Sequence, residues 1–108
     1  MQNLRVMLEW MNSPWAFVLK PGSNKIGRNP TNDFRILDSS VESFHAEIVL
    51  GDIFVSVRPI NGAIFIDGVR IETEEFFYPG MVLRMGVVEL RLRADWNGTE
   101  EDTQRFVI

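Results

Sequence analysis

The sequence predicts an all-β fold, a β-sandwich of two packed antiparallel sheets, on three observations. Apolar residues alternate with polar ones in short runs, turn residues punctuate those runs at regular spacing, and no window of a dozen residues carries a helical apolar stripe. Many short strands with polar, glycine-marked loops bury their apolar faces best by pairing two sheets.

Leu4, Val6, Leu8 and Trp10 alternate with Arg5, Met7 and Glu9, so the first strand has one face for the core and one for water. Shorter strands are predicted at Ala16 to Lys20, Lys25 to Arg28 and Phe34 to Leu37. Phe44, Ala46, Ile48 and Leu50 repeat the alternation, and strands follow at Ile53 to Arg58, Ile64 to Ile66 and Val82 to Met85. The last is Val88, Leu90 and Leu92 set against Glu89, Arg91 and Arg93. Between them Pro21-Gly22, Gly51-Asp52, Asn61-Gly62, Asp67-Gly68 and Pro79-Gly80 each supply a residue tolerant of positive φ or one with φ preset for a turn. Asp67-Gly68, flanked by Ile66 and Val69, predicts a two-residue hairpin.

The 108 residues suffice for one domain with a single core. With 45% hydrophobic and 24% charged residues, neither a disordered chain nor a fibre is indicated. A net charge of -4 argues against a general nucleic-acid binder, which needs clustered Lys and Arg. The absence of cysteine removes disulfides and thiolate metal sites. No apolar run approaches the roughly 20 residues that cross a bilayer, and Met1 to Arg5 do not form a signal peptide's apolar block. A cytoplasmic location without direct membrane insertion is expected, including as the cytoplasmic part of a longer protein. The expected organisation is a domain over residues 1–95 and an acidic, flexible tail over 96–108, in which Thr103 and Phe106 belong to a frayed end.

One stretch carries more than fold information: Lys25-Ile26-Gly27-Arg28, then Asn32-Asp33, then Asp38-Ser39-Ser40-Val41-Glu42-Ser43-Phe44-His45-Ala46-Glu47-Ile48. With Asn61-Gly62 and the closing 79–86 segment, it resembles the signature of the forkhead-associated (FHA) domain, over about Leu4 to Arg93. The resemblance implies the SMAD/FHA sandwich architecture, loops at one end that meet a ligand, and phosphothreonine as that ligand.

The resemblance makes Arg28 the phosphate-holding residue. A planar guanidinium donates two parallel hydrogen bonds to phosphate oxygens, which a lysine cannot reproduce. Taken alone, Gly27-Arg28 reads as a strand end with a surface ion pair to Asp33. Ser43 occupies a second family contact position, and Gly27, His45 and Gly62 are implied as structural supports. His45, the only histidine, would brace a neighbouring loop through its ring nitrogens; no nucleophile elbow surrounds Ser39, Ser40 or Ser43, and a lone histidine without cysteine is poor metal-site material. Asn61 admits two alignments. Matching Asn-Gly directly makes it the residue that bonds the peptide backbone and puts Ile60 at the small hydroxyl position. Matching backward from Phe65 puts Asn61 at that phosphate-touching position. Asn-Gly is also simply a strong turn former. Arg35 and Arg58 are further cations whose directions the sequence does not give.

Glu42 departs from the pattern, standing where the family usually has a serine whose hydroxyl donates to phosphate. An ionised carboxylate has no proton to give. At a separation of about 5 Å and an effective dielectric near 20, it would repel each unit of phosphate charge by about 3 kcal/mol. An ion pair between Glu42 and Arg28 would instead fill the pocket with an internal phosphate mimic.

Two functions therefore stand. One is a phosphothreonine-dependent signalling module contacting its partner through Arg28, Ser43 and Asn61, with Glu42 as the divergent position. The other is a phosphorylation-independent scaffold with a constitutive protein partner, like FHA-like domains of secretion machinery, with the pocket disabled by Glu42. An enzyme is not expected, and neither is a cofactor: catalytic motifs, phosphate-cradling glycine loops and metal-ligand clusters are absent from the sequence.

Overall fold

The computed structural model describes residues 4–96 and 106–107. These residues contain twelve strands and no helix: β1 Leu4–Trp10, β2 Trp15–Val18, β3 Gly22–Gly27, β4 Phe34–Arg35, β5 Ala46–Leu50, β6 Val55–Pro59, β7 Ile64–Ile66, β8 Val69–Ile71, β9 Glu75–Phe76, β10 Val82–Met85, β11 Val88–Trp96 and β12 Phe106–Val107. One sheet runs β12-β2-β1-β11-β10-β7-β8 and the other β4-β3-β5-β6-β9. Their facing sides enclose one core, with Leu8, Phe17, Ile26, Ile48, Val57, Leu83 and Leu90 sealed from solvent. The predicted sandwich is the observed architecture. Pairing is antiparallel except for β3 with β4 and β12 with β2, which run parallel.

The alternation of the first and last long strands is used as predicted: β1 and β11 pair along their length, from Leu4 opposite Trp96 to Trp10 opposite Leu90. Met7 is a correction. Predicted on the wet side, it is 1% exposed, because β1 lies in the middle of a seven-stranded sheet with Val18 and Arg93 as its cross-strand neighbours. The Asp67-Gly68 hairpin forms as expected, with φ of 49° and 84° at the two turn residues and Ile66 opposite Val69.

Where strands differ from expectation, a polar residue or a short length hid them. β3 begins three residues before the predicted start because Asn24, which reads as a turn residue, is wholly buried. Its amide donates to the carbonyls of Lys20, Gly22 and Ile48 at 2.9, 3.1 and 3.2 Å, and its oxygen accepts from Lys20 N at 3.0 Å. With every polar atom matched, an asparagine is tolerated in the core and pins the turn before β3. The short strands β8 and β9 carry too few residues to show alternation.

The expected flexible tail begins inside the structure's last long strand: Trp96 closes β11 and pairs with Leu4. Phe106 and Val107 align with Trp15 and Ala16, while residues 97–105 and 108, including Thr103, lie outside the described residues. Among the described residues no helix is long and apolar enough to cross a membrane.

Candidate functional site

Three connections meet at one end of the sandwich: residues 28–33 between β3 and β4, 36–45 between β4 and β5, and 60–63 between β6 and β7. Backbone bonds stitch them together. Arg28 N donates to Glu42 O at 3.0 Å, Asn29 N to Ser43 O at 3.1 Å, His45 N to Ile26 O at 2.9 Å, Ile60 N to His45 O at 2.9 Å and Asn61 N to Phe44 O at 3.1 Å. The structure thus gathers Arg28, Glu42, Ser43 and Asn61 on neighbouring loops, all four exposed. Gly27 explains how two of these loops approach so closely. A Cβ there would lie 2.3 Å from the Ser43 carbonyl oxygen and 2.9 Å from that of Glu42, so any larger residue would push the loops apart.

Arg28 is anchored by its own side chain: Nε donates to the Val41 carbonyl at 2.5 Å. That bond fixes the guanidinium plane and leaves the two terminal NH2 groups, the parallel donors a phosphate would use. The ion pair with Asp33 that the sequence suggested does not form. Asp33 instead pairs with Lys20 at 2.6 Å and accepts from Lys25 N at 2.7 Å. The Lys20 ammonium and the Lys25 amide hold its carboxyl below the usual carboxylate range. Among the described residues Glu42 and Arg28 form no ion pair either, so the side chain of Glu42 is not an internal phosphate mimic in this conformation.

His45, 2% exposed, sits beneath the loops. Its Nδ1 accepts from Glu42 N at 3.0 Å, and its Nε2 lies 2.8 Å from the Ala63 carbonyl oxygen. This pair of contacts requires the neutral tautomer with the proton on Nε2. One ring therefore links the loop bearing Glu42 and Ser43 to the loop bearing Asn61. Gly62 lies flat against that ring: a Cβ would come within 2.4 Å of Cε1 and Nε2. The Asn61-Gly62 pair was expected to act as a positive-φ turn; neither residue has positive φ, and the glycine is needed for space over His45.

Two residues outside the expected contact set join these loops. Arg35 Nε donates to the Arg28 carbonyl at 2.9 Å, which ties a second guanidinium to the backbone of the Arg28 loop. Arg58, the other open candidate, is turned to Glu47 on the neighbouring strand at 2.5 Å and does not join the loops. Asn32 is the second. Its amide donates to Asn29 O at 2.8 Å and Ser43 O at 2.7 Å, bracing the Arg28 loop against the Ser43 loop. Asn32-Asp33 stood in the motif, but no spacing rule says which backbone an asparagine will bridge. Among the described residues no group of three or more His, Cys, Asp or Glu is placed to hold a metal ion.

The sequence profile described as the FHA domain matches residues 24–86, more than half of the chain and all three of these connections. The chain belongs to the FHA domain family. Solved structures agree on the fold. An FHA domain studied for phosphothreonine-dependent interactions is 27% identical, with a TM-score of 0.78 over 82% of this chain and 95% of that one. The FhaA FHA domain, solved with the intracellular domain of a partner protein, is 26% identical, with a TM-score of 0.74 over 84% of this chain and 100% of that one. A Chlamydia trachomatis FHA domain is 24% identical, with a TM-score of 0.77 over 82% of this chain and 96% of that one. No curated protein matches the chain. Within this FHA domain, the loops that carry the family motif are the ones that Gly27, Asn32 and His45 hold together.

Proposed function

We propose that this FHA domain binds phosphothreonine-bearing segments of partner proteins. Arg28 would hold the phosphate, and Ser43 and Asn61 would contact the phosphate or the peptide backbone around it. The anchored Arg28 carries the reading: its Nε bond to Val41 O presets the guanidinium on an exposed position just past β3, with Arg35 bonded to the Arg28 carbonyl. Preset donors lose little entropy when the phosphate arrives. The likeness to an FHA domain whose interactions depend on phosphothreonine supports the same ligand.

Glu42 sets the strength of binding. Its side chain is exposed, so the effective dielectric lies between the protein-surface value and that of water. The repulsion then falls to about 1–2 kcal/mol per phosphate charge, on the order of tenfold in affinity for each of the one to two charges a phosphothreonine carries. Arg28 and Arg35 outnumber it. We therefore assign Glu42 the role of weakening and tuning the site rather than closing it.

The test is selection from a degenerate phosphothreonine peptide library and its unphosphorylated twin by the wild type, Arg28→Ala and Glu42→Ser. Phosphate-dependent capture by wild type, strengthened at least about tenfold in Glu42→Ser and absent in Arg28→Ala, is the expected result. If wild type captures nothing and Glu42→Ser does, the carboxylate blocks the site and the domain is a phosphorylation-independent scaffold.

A further inference from the structure

At the opposite end of β6 from the loop site lies a cavity of about 410 Å³, lined by Phe54, Ser56, Glu74, Glu75 and Phe76. Phe54 and Ile60 are six residues apart along an extended strand, so the two sites are separated by about 20 Å. The cavity opens on the face of the second sheet that points away from the core, beside β9, where that sheet ends.

Its walls are aromatic. The Phe54 and Phe76 rings meet edge to face with centroids 6.1 Å apart and an interplanar angle of 73°, and Phe76 continues to Tyr78 at 6.3 Å. All three rings are exposed, at 41%, 58% and 55%. Phe54 is nevertheless held: a Cβ on Gly51 would lie 2.3 Å from its Cε1, so the ring rests directly on that glycine. The floor is acidic. Ser56, although on the outer face, is 1% exposed, and its hydroxyl donates to Glu74 Oε2 at 2.6 Å, which fixes the carboxylate against the rings and leaves its other oxygen to accept. Among the described residues no lysine or arginine pairs with the Glu74 carboxylate, while Glu75, opposite the core residue Val57, belongs to the other face of the sheet and lines the cavity only at its edge.

We infer that this cavity is a second binding site, which accepts an arginine side chain of a partner protein. Aromatic faces attract a cation through the ring quadrupole, and a fixed carboxylate receives the forked guanidinium; each favours arginine over a neutral side chain. Charge complementarity chooses the occupant, because a purely apolar partner would leave the Glu74 carboxylate desolvated without a counter-charge. A partner reaching both ends of the domain would gain effective concentration at each.

The probe is acetyl-Gly-Val-Arg-Val-Gly-amide, unphosphorylated, beside its citrulline isostere, titrated into the isotopically labelled domain and followed by backbone amide shifts. Saturable shifts centred on residues 54–56 and 74–76 are expected. Affinity should fall at least fivefold for the citrulline peptide, fall in Glu74→Gln and vanish in Phe76→Ser. The same shifts should persist in Arg28→Ala, so failure of the phosphate site and failure of this one are distinguishable. Equal binding of the two peptides, no saturable shift at these residues, or shifts in these residues that depend on protein concentration without peptide would overturn the assignment; the last would give the surface to a second copy of the chain. Phe76 is largely exposed, and if its replacement unfolds the domain, Glu74→Gln alone decides.

Discussion

At the residue scale, His45 and Gly62 make the sharpest case for how little freedom the loop site has. The ring is bonded at both nitrogens, to Glu42 N and Ala63 O, and cannot retreat from a methyl group placed 2.4 Å away. Gly62→Ala should therefore cost about 2 kcal/mol through overpacking, and His45→Ala about 2 kcal/mol by leaving a cavity and breaking two part-buried hydrogen bonds. Urea denaturation of both variants checks this, and both should weaken phosphopeptide binding although neither residue reaches the ligand. A Gly62→Ala variant as stable as wild type would contradict the close-contact account. That Arg28, Glu42, Ser43 and His45 belong to one set of loops was legible through the resemblance to the FHA motif, which lists them in order along the chain. Arg35 and Asn32 were not, because each acts on a backbone atom that only the folded chain brings near.

At the scale of elements, the second sheet is tied by a charge cluster across β3, β5 and β6. Glu47, 8% exposed, accepts hydrogen bonds from the Ser23 hydroxyl and the Arg58 guanidinium. These donors, Ser23 foremost and then Arg58, hold its carboxyl below the ordinary value of 4.5 despite burial. A carboxyl depressed in the folded state contributes stability that is complete above 4.5 and is lost as pH falls through the folded value. Thermal unfolding from pH 7 to 3 should show wild type losing its advantage over Glu47→Gln below about pH 4.5. A gap between the two that stays constant across that range would refute the assignment. The long alternating strands were legible because their burial is the local pattern repeated. β3 was misread at its start because a buried asparagine whose amide reaches the carbonyl of distant Ile48 as well as those of nearby Lys20 and Gly22 has the same letter as a turn asparagine. β8 and β9 are too short for any periodicity to register.

For the whole molecule, the sandwich holds two unlike surfaces apart. One end carries Arg28, on a loop braced by Gly27, Asn32 and His45, and Arg35 at the end of β4; the other end of β6 carries an aromatic, acidic cavity at the edge of the second sheet. The net charge of -4 hides this division, since an average over the chain cannot show where charges fall once strands bring distant residues together. Phosphopeptide binding by the Arg28 end should weaken as salt rises, because exposed charges are screened within a Debye length of about 8 Å at physiological ionic strength. The measurement that tests the central claim most directly is isothermal titration of one selected phosphothreonine peptide, and of its unphosphorylated form, into wild type and Arg28→Ala. Binding that requires both the phosphate and Arg28 is the predicted result. Equal affinity for the two peptide forms, or full affinity in Arg28→Ala, would contradict it.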